Sequence, residues 1–373
     1  MHSNSSFCSL PFVHSCTNVG GRNKPCCRFQ DKKYTDNIPP IDYFYGNKLK
    51  ELRTKMIKGD YINGCEKCYQ DEKTLGNSYR TWSNKYFHYD INNPKIQYIE
   101  IGLSNLCNLS CVTCNAKYST SWYKDATQLN KELNFNIDVG QKKYIKTSDN
   151  IIKNFNTKDI KYIKILGGEP FYEKNNLKFL KHFNLKNITL EIVTNGTILP
   201  NNTWLDIFNK CKQVLLTISI DGIDSHAEFT RFGTKWQNYF TNLIYFQNLK
   251  KNNFKITYNY VVNCFNIFNL KDFLLFKNKN DLNPCYIGIL QKPDYLNVKY
   301  LFPEVKKEIL QKIENLNVVN VKDYLNTSLN IKSKLHMNNF INYYEFLSKR
   351  RSRIIDNKDF QYYINMIQKN LSI

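Results

Sequence analysis

The chain has 373 residues, and at this length a single core of the usual ~250–300-residue limit is exceeded, so one large domain with smaller attachments is expected. At 42% hydrophobic, with 26 Tyr and 24 Phe, there is ample apolar surface to bury, which excludes a disordered or fibrous chain, and no run approaches the ~18 apolar residues of a membrane span. The formal charge of +21 rests on 53 basic residues of which only 8 are Arg; this Lys surplus lacks the bidentate donors that read bases and phosphates, so a nucleic-acid partner is not favoured.

The opening Met1-His2-Ser3-Asn4-Ser5-Ser6-Phe7 has neither the basic patch nor the apolar core of a secretory signal, so a cytoplasmic chain with reduced thiols and no membrane partner is expected. Twelve cysteines in such a compartment point to metal or redox chemistry rather than disulfides. Residues 1–75 read as a loop-rich, Cys-rich module that holds six of those twelve. Residues 76–94 read as a connector. Beyond Pro94, short runs rich in Ile, Val, Leu and Tyr predict buried strands at Tyr98–Leu103, Tyr162–Leu166, Ile188–Thr194, Val214–Ile220, Ile256–Val262 and Pro284–Leu290. Helix-like stretches such as Leu177–Phe183, Trp236–Lys250 and Leu270–Lys277 lie between them. Six such repeats predict an α/β fold with a parallel sheet, curled into a partial (β/α)6 TIM barrel over 95–300. Its chemistry would sit on loops after the strands' C-terminal ends. From Pro303 the pattern is helical, giving a C-terminal extension over 301–373.

The sharpest motif follows the first strand: Cys107-Asn-Leu-Ser-Cys111-Val-Thr-Cys114. Three thiolates in one loop suit three corners of a [4Fe–4S] cube, leaving the fourth iron open to a ligand. A zinc site is the rival, although structural zinc wants four ligands and no His lies nearby. The second strand runs into Gly167-Gly168-Glu169-Pro170, where paired glycines let backbone approach a ligand and a carboxylate can accept from an ammonium. Thr194-Asn195-Gly196 and Ser219-Ile220-Asp221-Gly222 put polar groups at the next two strand ends, and Arg231 could pair with a carboxylate.

In these segments the sequence resembles the radical SAM superfamily, in the family's order, over about 95–295. The resemblance implies an enzyme in which Cys107, Cys111 and Cys114 hold a catalytic [4Fe–4S] cluster and S-adenosylmethionine chelates the open iron. Gly167, Gly168 and Glu169 would match the methionine-amine contact, and Asn195, Ser219 and Arg231 the ribose or carboxylate contacts. Reductive cleavage would give a 5′-deoxyadenosyl radical that abstracts hydrogen from a substrate, with electrons from a donor such as a flavodoxin or ferredoxin.

The N-terminal set of Cys8, Cys16, Cys26, Cys27, Cys65 and Cys68 is similar to auxiliary-cluster modules of the twitch and SPASM type, here placed before the barrel. That resemblance implies a second [4Fe–4S] cluster on Cys8, Cys26, Cys65 and Cys68, with Cys27 as a substitute for Cys26 and Cys16 unassigned. A four-Cys zinc knuckle is the alternative. Such modules favour a peptide or protein side chain as substrate; a sugar, a nucleotide or RNA, or a non-catalytic Fe–S or zinc scaffold, are the alternatives. Cys211, Cys264 and Cys285 read as packing residues, His226 as a surface residue, and Lys349-Arg350-Arg351-Ser352-Arg353 as a solvated helix face.

Overall fold

The computed structural model describes residues 6–140, 143–147, 155–249, 253–282 and 284–372. Its N-terminal part is more regular than its composition suggests. Helix α1 (Leu10–Val13) leads into β1 (His14–Thr17), β2 (Asn23–Lys24) returns antiparallel to it, and α2 (Pro40–Tyr45), α3 (Asn47–Lys58) and α4 (Glu66–Leu75) follow. The loop-rich expectation for 1–75 is therefore corrected. These helices are punctuated by the residues that hid them: Pro40 opens α2, where a missing N–H costs nothing, and Gly59, at φ +88°, stops α3. The connector also holds a helix, α5 (Tyr79–Tyr86), opened by a capping box in which Ser78 and Thr81 exchange hydrogen bonds.

The remaining strands are β3 (Tyr98–Gly102), β4 (Ser110–Cys111), β5 (Tyr162–Leu166), β6 (Thr189–Thr194), β7 (Gln213–Ser219), β8 (Arg231–Phe232), β9 (Phe254–Val262) and β10 (Cys285–Ile289). Between and after them come α6 (Tyr123–Leu133), α7 (Asn175–Leu180), α8 (Asn202–Lys210), α9 (Asp224–Thr230), α10 (Trp236–Asn248), α11 (Leu270–Lys279), α12 (Pro303–Lys312), α13 (Val319–Thr327), α14 (Lys334–Arg351) and α15 (Lys358–Ser372). All six predicted strands are present, each bound within two residues of expectation. Lys250, the expected end of α10, lies outside the described residues.

Strands β3, β5, β6, β7, β9 and β10 pair in that order, all parallel, as a partial (β/α)6 barrel requires. The sheet does not stop at β3. β1 pairs parallel to it, with His14 opposite Tyr98 and Cys16 opposite Glu100, and β2 forms the short outer edge. Four residues, His14-Ser15-Cys16-Thr17, are too few to show a period, which is why the sequence does not reveal β1.

Strand residues alternate between two faces. One is apolar and packs on helices: Phe208 of α8 meets Phe254 at 5.5 Å, and Phe273 of α11 stacks on Tyr260 at 4.2 Å. The other, luminal face carries Tyr98, Glu100, Tyr162, Lys164, Glu191, Thr217 and Thr257. Its charges are paired internally, Lys164 Nζ to Glu191 Oε1 at 3.0 Å and Tyr162 Oη to Glu191 Oε2 at 2.7 Å. Ring contacts of Trp82 and Tyr86 with Tyr162 lay α5 against the lower part of this face.

Among the described residues no helix is long and apolar enough to cross a membrane. His226, expected at the surface, is buried in α9 against Phe360 of α15, and burial lowers its pKa to about 4. Cys211 and Cys264 are buried, and Cys285 is half-buried at the start of β10.

Candidate functional site

The loop after β3 is held in shape by side chains that bond to its own backbone. Asn105, fully buried, donates to the Ala116 and Lys143 carbonyls at 3.1 and 3.0 Å and accepts from Ile145 N at 2.8 Å, which closes the base of the loop. Ser119 Oγ donates to the Leu109 carbonyl at 2.5 Å, Ser121 Oγ to the Cys107 carbonyl at 2.8 Å, and Trp122 Nε1 to the Cys111 carbonyl at 2.7 Å. Sequence reasoning passed over this Ser119-Thr120-Ser121-Trp122 segment. Its signal was there, a run of small hydroxyls and one indole five residues beyond the last cysteine.

Two further donors come from the C-terminal helix α14. Tyr343 Oη donates to the Val112 carbonyl at 2.8 Å, and Arg351 Nη2 to the Ser110 carbonyl at 2.9 Å. The Arg351 guanidinium lies over the rings of Trp122 and Phe232 at 5.1 and 4.6 Å and pairs with Asp125 at 3.2 Å. Three consecutive carbonyls, of residues 110, 111 and 112, are thus each held by a side chain. This corrects the solvated reading of the basic run 349–353: Arg351 is buried, Arg350 pairs with Asp125, and Arg353 with Glu228.

Cys107, Cys111 and Cys114 share this loop, with Cys114 N bonded to the Cys111 carbonyl at 2.9 Å. Burial raises the pKa of each thiol, that of Cys111 to about 11, against the opposing charge of Arg231. Strand β8 lies antiparallel to β4 with Arg231 opposite Cys111. Arg231 Nη1 binds Asp221 Oδ2 at 2.7 Å, so the carboxylate it meets is the chain's own, while its buried Nε has no partner among the described residues.

Gly167 and Gly168 serve a close approach, but to the chain itself. A Cβ on Gly167, at φ +127°, would stand 2.6 Å from the Ser104 carbonyl oxygen, and one on Gly168 would stand 2.1 Å from that of Leu106. The space is closed by Gly168 N to Ser104 O at 2.9 Å and Glu169 N to Leu106 O at 2.8 Å, so the exit of β5 is fastened to the lead-in to Cys107. Glu169 is buried. Its Oε1 accepts from Thr194 Oγ1 at 2.8 Å and Phe171 N at 3.1 Å, and its Oε2 from Asn195 N at 2.7 Å. Burial outweighs these bonds and raises its pKa to about 7. Asn195 Nδ2 reaches Asn108 Oδ1 at 2.9 Å and lies 3.8 Å from Cys107 Sγ. At the end of β7, the Ser219 carbonyl accepts from Tyr239 Oη at 2.7 Å. The structure therefore brings Cys107, Glu169, Asn195, Cys111 and Arg231 to one end of the barrel.

Among the N-terminal cysteines, the half-buried Cys26 has its thiol pKa raised well above the ordinary value by desolvation and then by Cys27, Cys8, Cys65 and Cys68. Cys65 precedes α4 and Cys68 N bonds its carbonyl at 2.9 Å, while Cys8 Sγ lies 3.8 Å from Ser83 Oγ. The Cys27 thiol is raised by burial and then by Glu100 of the luminal face.

Residues 101–273 match the Radical SAM superfamily. No curated protein matches the chain. Solved structures that resemble it include native anSMEcpe with bound AdoMet, 16% identical over 62% of each chain with a TM-score of 0.39. Streptococcus suis SuiB bound to S-adenosylmethionine is 17% identical over 74% of this chain and 60% of that one, at 0.36. TYW1 with a lysine-pyruvate adduct bound is 15% identical over 73% and 90%, at 0.38. The chain spans about three fifths of the length of the first two. These likenesses are distant, and weight rests on the family match and on the residues described above. With its cysteine loop seated at the end of a partial six-stranded barrel, the chain carries at residues 101–273 a region that matches the radical SAM superfamily.

Proposed function

We propose that this chain is an enzyme that generates a substrate radical and acts on a peptide or protein side chain, with two cluster sites. Cys107, Cys111 and Cys114 would hold the catalytic [4Fe–4S] cluster, and Cys8, Cys26, Cys65 and Cys68 a second one. What supports the two-site reading is that Cys8, Cys65 and Cys68, from separate stretches of sequence, lie near enough to raise the Cys26 thiol's pKa. When bound, the catalytic cluster and S-adenosylmethionine supply reductive cleavage to methionine and a 5′-deoxyadenosyl radical. The unpartnered Nε of Arg231 beside Cys111 suits an anionic group there. Glu169 Oε2 has one hydrogen bond and capacity for a ligand ammonium, and Asn195 faces the same space. Gly167, Gly168 and Ser219 would complete the contacts to S-adenosylmethionine. A closed four-thiolate set at the N-terminal site suits electron relay from a flavodoxin or ferredoxin to the open catalytic site, in a reducing compartment such as the cytoplasm. The peptide class follows from the likeness of the N-terminal cysteines to auxiliary-cluster modules.

Anaerobic reconstitution should give about eight irons per chain. A Cys65→Ala/Cys68→Ala variant should keep about four. A Cys107→Ala/Cys111→Ala/Cys114→Ala variant should lose reductive cleavage of S-adenosylmethionine; cleavage that survives there refutes the catalytic assignment. A wild-type chain that takes up only four irons refutes the second cluster.

A further inference from the structure

A third group of ligating side chains lies apart from both cysteine sets. His14 and Cys16 sit two residues apart on one face of β1, and the parallel register places Cys16 opposite Glu100 of β3. One ligand atom from each of the three lies within 4.8 Å of the others. His14 Nε2 stands 3.9 Å from Glu100 Oε2, and Cys16 Sγ 3.7 Å from Glu100 Oε1. A tetrahedral zinc with bonds of ~2.0 Å to N or O and ~2.3 Å to S spaces its ligand atoms by about 3.3–3.8 Å, close to these separations.

The group is built for something it does not itself contain. All three residues are buried, and neither ring nitrogen of His14 makes a well-aligned hydrogen bond among the described residues, the Pro25 backbone lying beside the ring. Buried polar atoms are nearly always satisfied, and a metal ion is one of the few reasons for an exception. The supporting contacts are those of a ligand shell. The Tyr98 ring stacks on the imidazole at 4.1 Å, Tyr98 Oη donates to Glu100 Oε2 at 3.0 Å, and Tyr79 Oη meets Tyr98 Oη at 2.8 Å. Lys164, the nearby cation, is engaged by Glu191.

We propose that His14, Cys16 and Glu100 form a three-ligand site for one divalent transition metal of the zinc class, which ties β1 to β3. The mixed N, S and O donors suit a borderline-soft ion with no redox role. The site is separate from the cluster assignments and takes up Cys16, which they leave over.

The test uses the full chain, purified anaerobically from zinc-supplemented medium and reconstituted with iron and sulfide. Iron and zinc are counted by mass spectrometry, and the zinc K-edge fine structure is recorded. The expected result is about one zinc per chain with a first shell of mixed sulfur and nitrogen or oxygen. Cys16→Ser and His14→Ala should each lower zinc at least fivefold while iron stays at the wild-type count. Wild-type protein without stoichiometric zinc overturns the site and needs no folded variant to do so. An all-sulfur zinc shell also overturns it, and with four irons it moves the zinc to Cys8, Cys26, Cys65 and Cys68. A mixed shell with four irons keeps the site and removes the second cluster instead.

Discussion

Glu169 shows how much one buried carboxyl can govern. Its pKa is raised to about 7, first by burial, so the carboxyl holds its proton well above the usual carboxylate range. An ammonium set against it favours the charged form. Below pH 6 that form is scarce and binding an ammonium must expel a proton; above pH 8 the carboxylate is already present. Binding of S-adenosylmethionine to the cluster-loaded chain should therefore tighten several-fold from pH 6 to pH 8. Calorimetry at pH 6.5 in two buffers of different ionisation enthalpy should detect proton release, and Glu169→Gln should abolish both effects. Affinity that is flat across this range would separate Glu169 from the ligand. The residue types at this end of the barrel were legible in the sequence, since each motif is contiguous and follows a strand. Their bonding was not. The strand-end motif suggests contacts to a ligand, yet Gly168 touches Leu106, Glu169 holds Thr194 and Asn195, and Arg231 holds Asp221.

At the scale of elements, α14 acts on the cysteine loop from far along the chain. Tyr343 reaches Val112 across 231 positions, and Arg351 reaches Ser110 across 241. No local pattern announces such bonds, and a terminal Lys-Arg-Arg run ordinarily marks a helix end in water. Removing the Tyr343 hydroxyl (Tyr343→Phe) should cost about 1–2 kcal/mol, because it leaves the Val112 carbonyl buried without that donor. Arg351→Met should cost more, about 3 kcal/mol, since Asp125 loses a buried partner and the Ser110 carbonyl its donor. Urea midpoints of the cluster-free chain check both figures. Iron retention after reconstitution should fall in the same order, and unchanged retention in Arg351→Met would show that the loop keeps its shape without α14.

For the whole molecule, the six repeats were legible because a buried parallel sheet writes itself as short apolar runs at regular intervals. The place of the N-terminal region was not, because it joins the sheet through only four residues. A fragment of residues 95–300, cut to the barrel alone, lacks β1, α14 and α15 and exposes the whole backbone edge of β3. It should unfold at a lower urea midpoint than the full chain and aggregate on concentration, as light scattering would show. A fragment as stable and monodisperse as the full chain would mean that the outer strands are ornamental. The pairing of β1 with β3 also has a consequence in time. Cys16 and Glu100 are 84 positions apart, so at ~5–20 residues per second a ribosome needs roughly 4–17 s to supply the partner that β1 awaits. By the end of that interval the nascent chain carries six thiols and a β1 whose only available strand partner is the two-residue β2. Slow translation or delayed chaperone capture should therefore harm this protein at its first residues, before any of the barrel has been made.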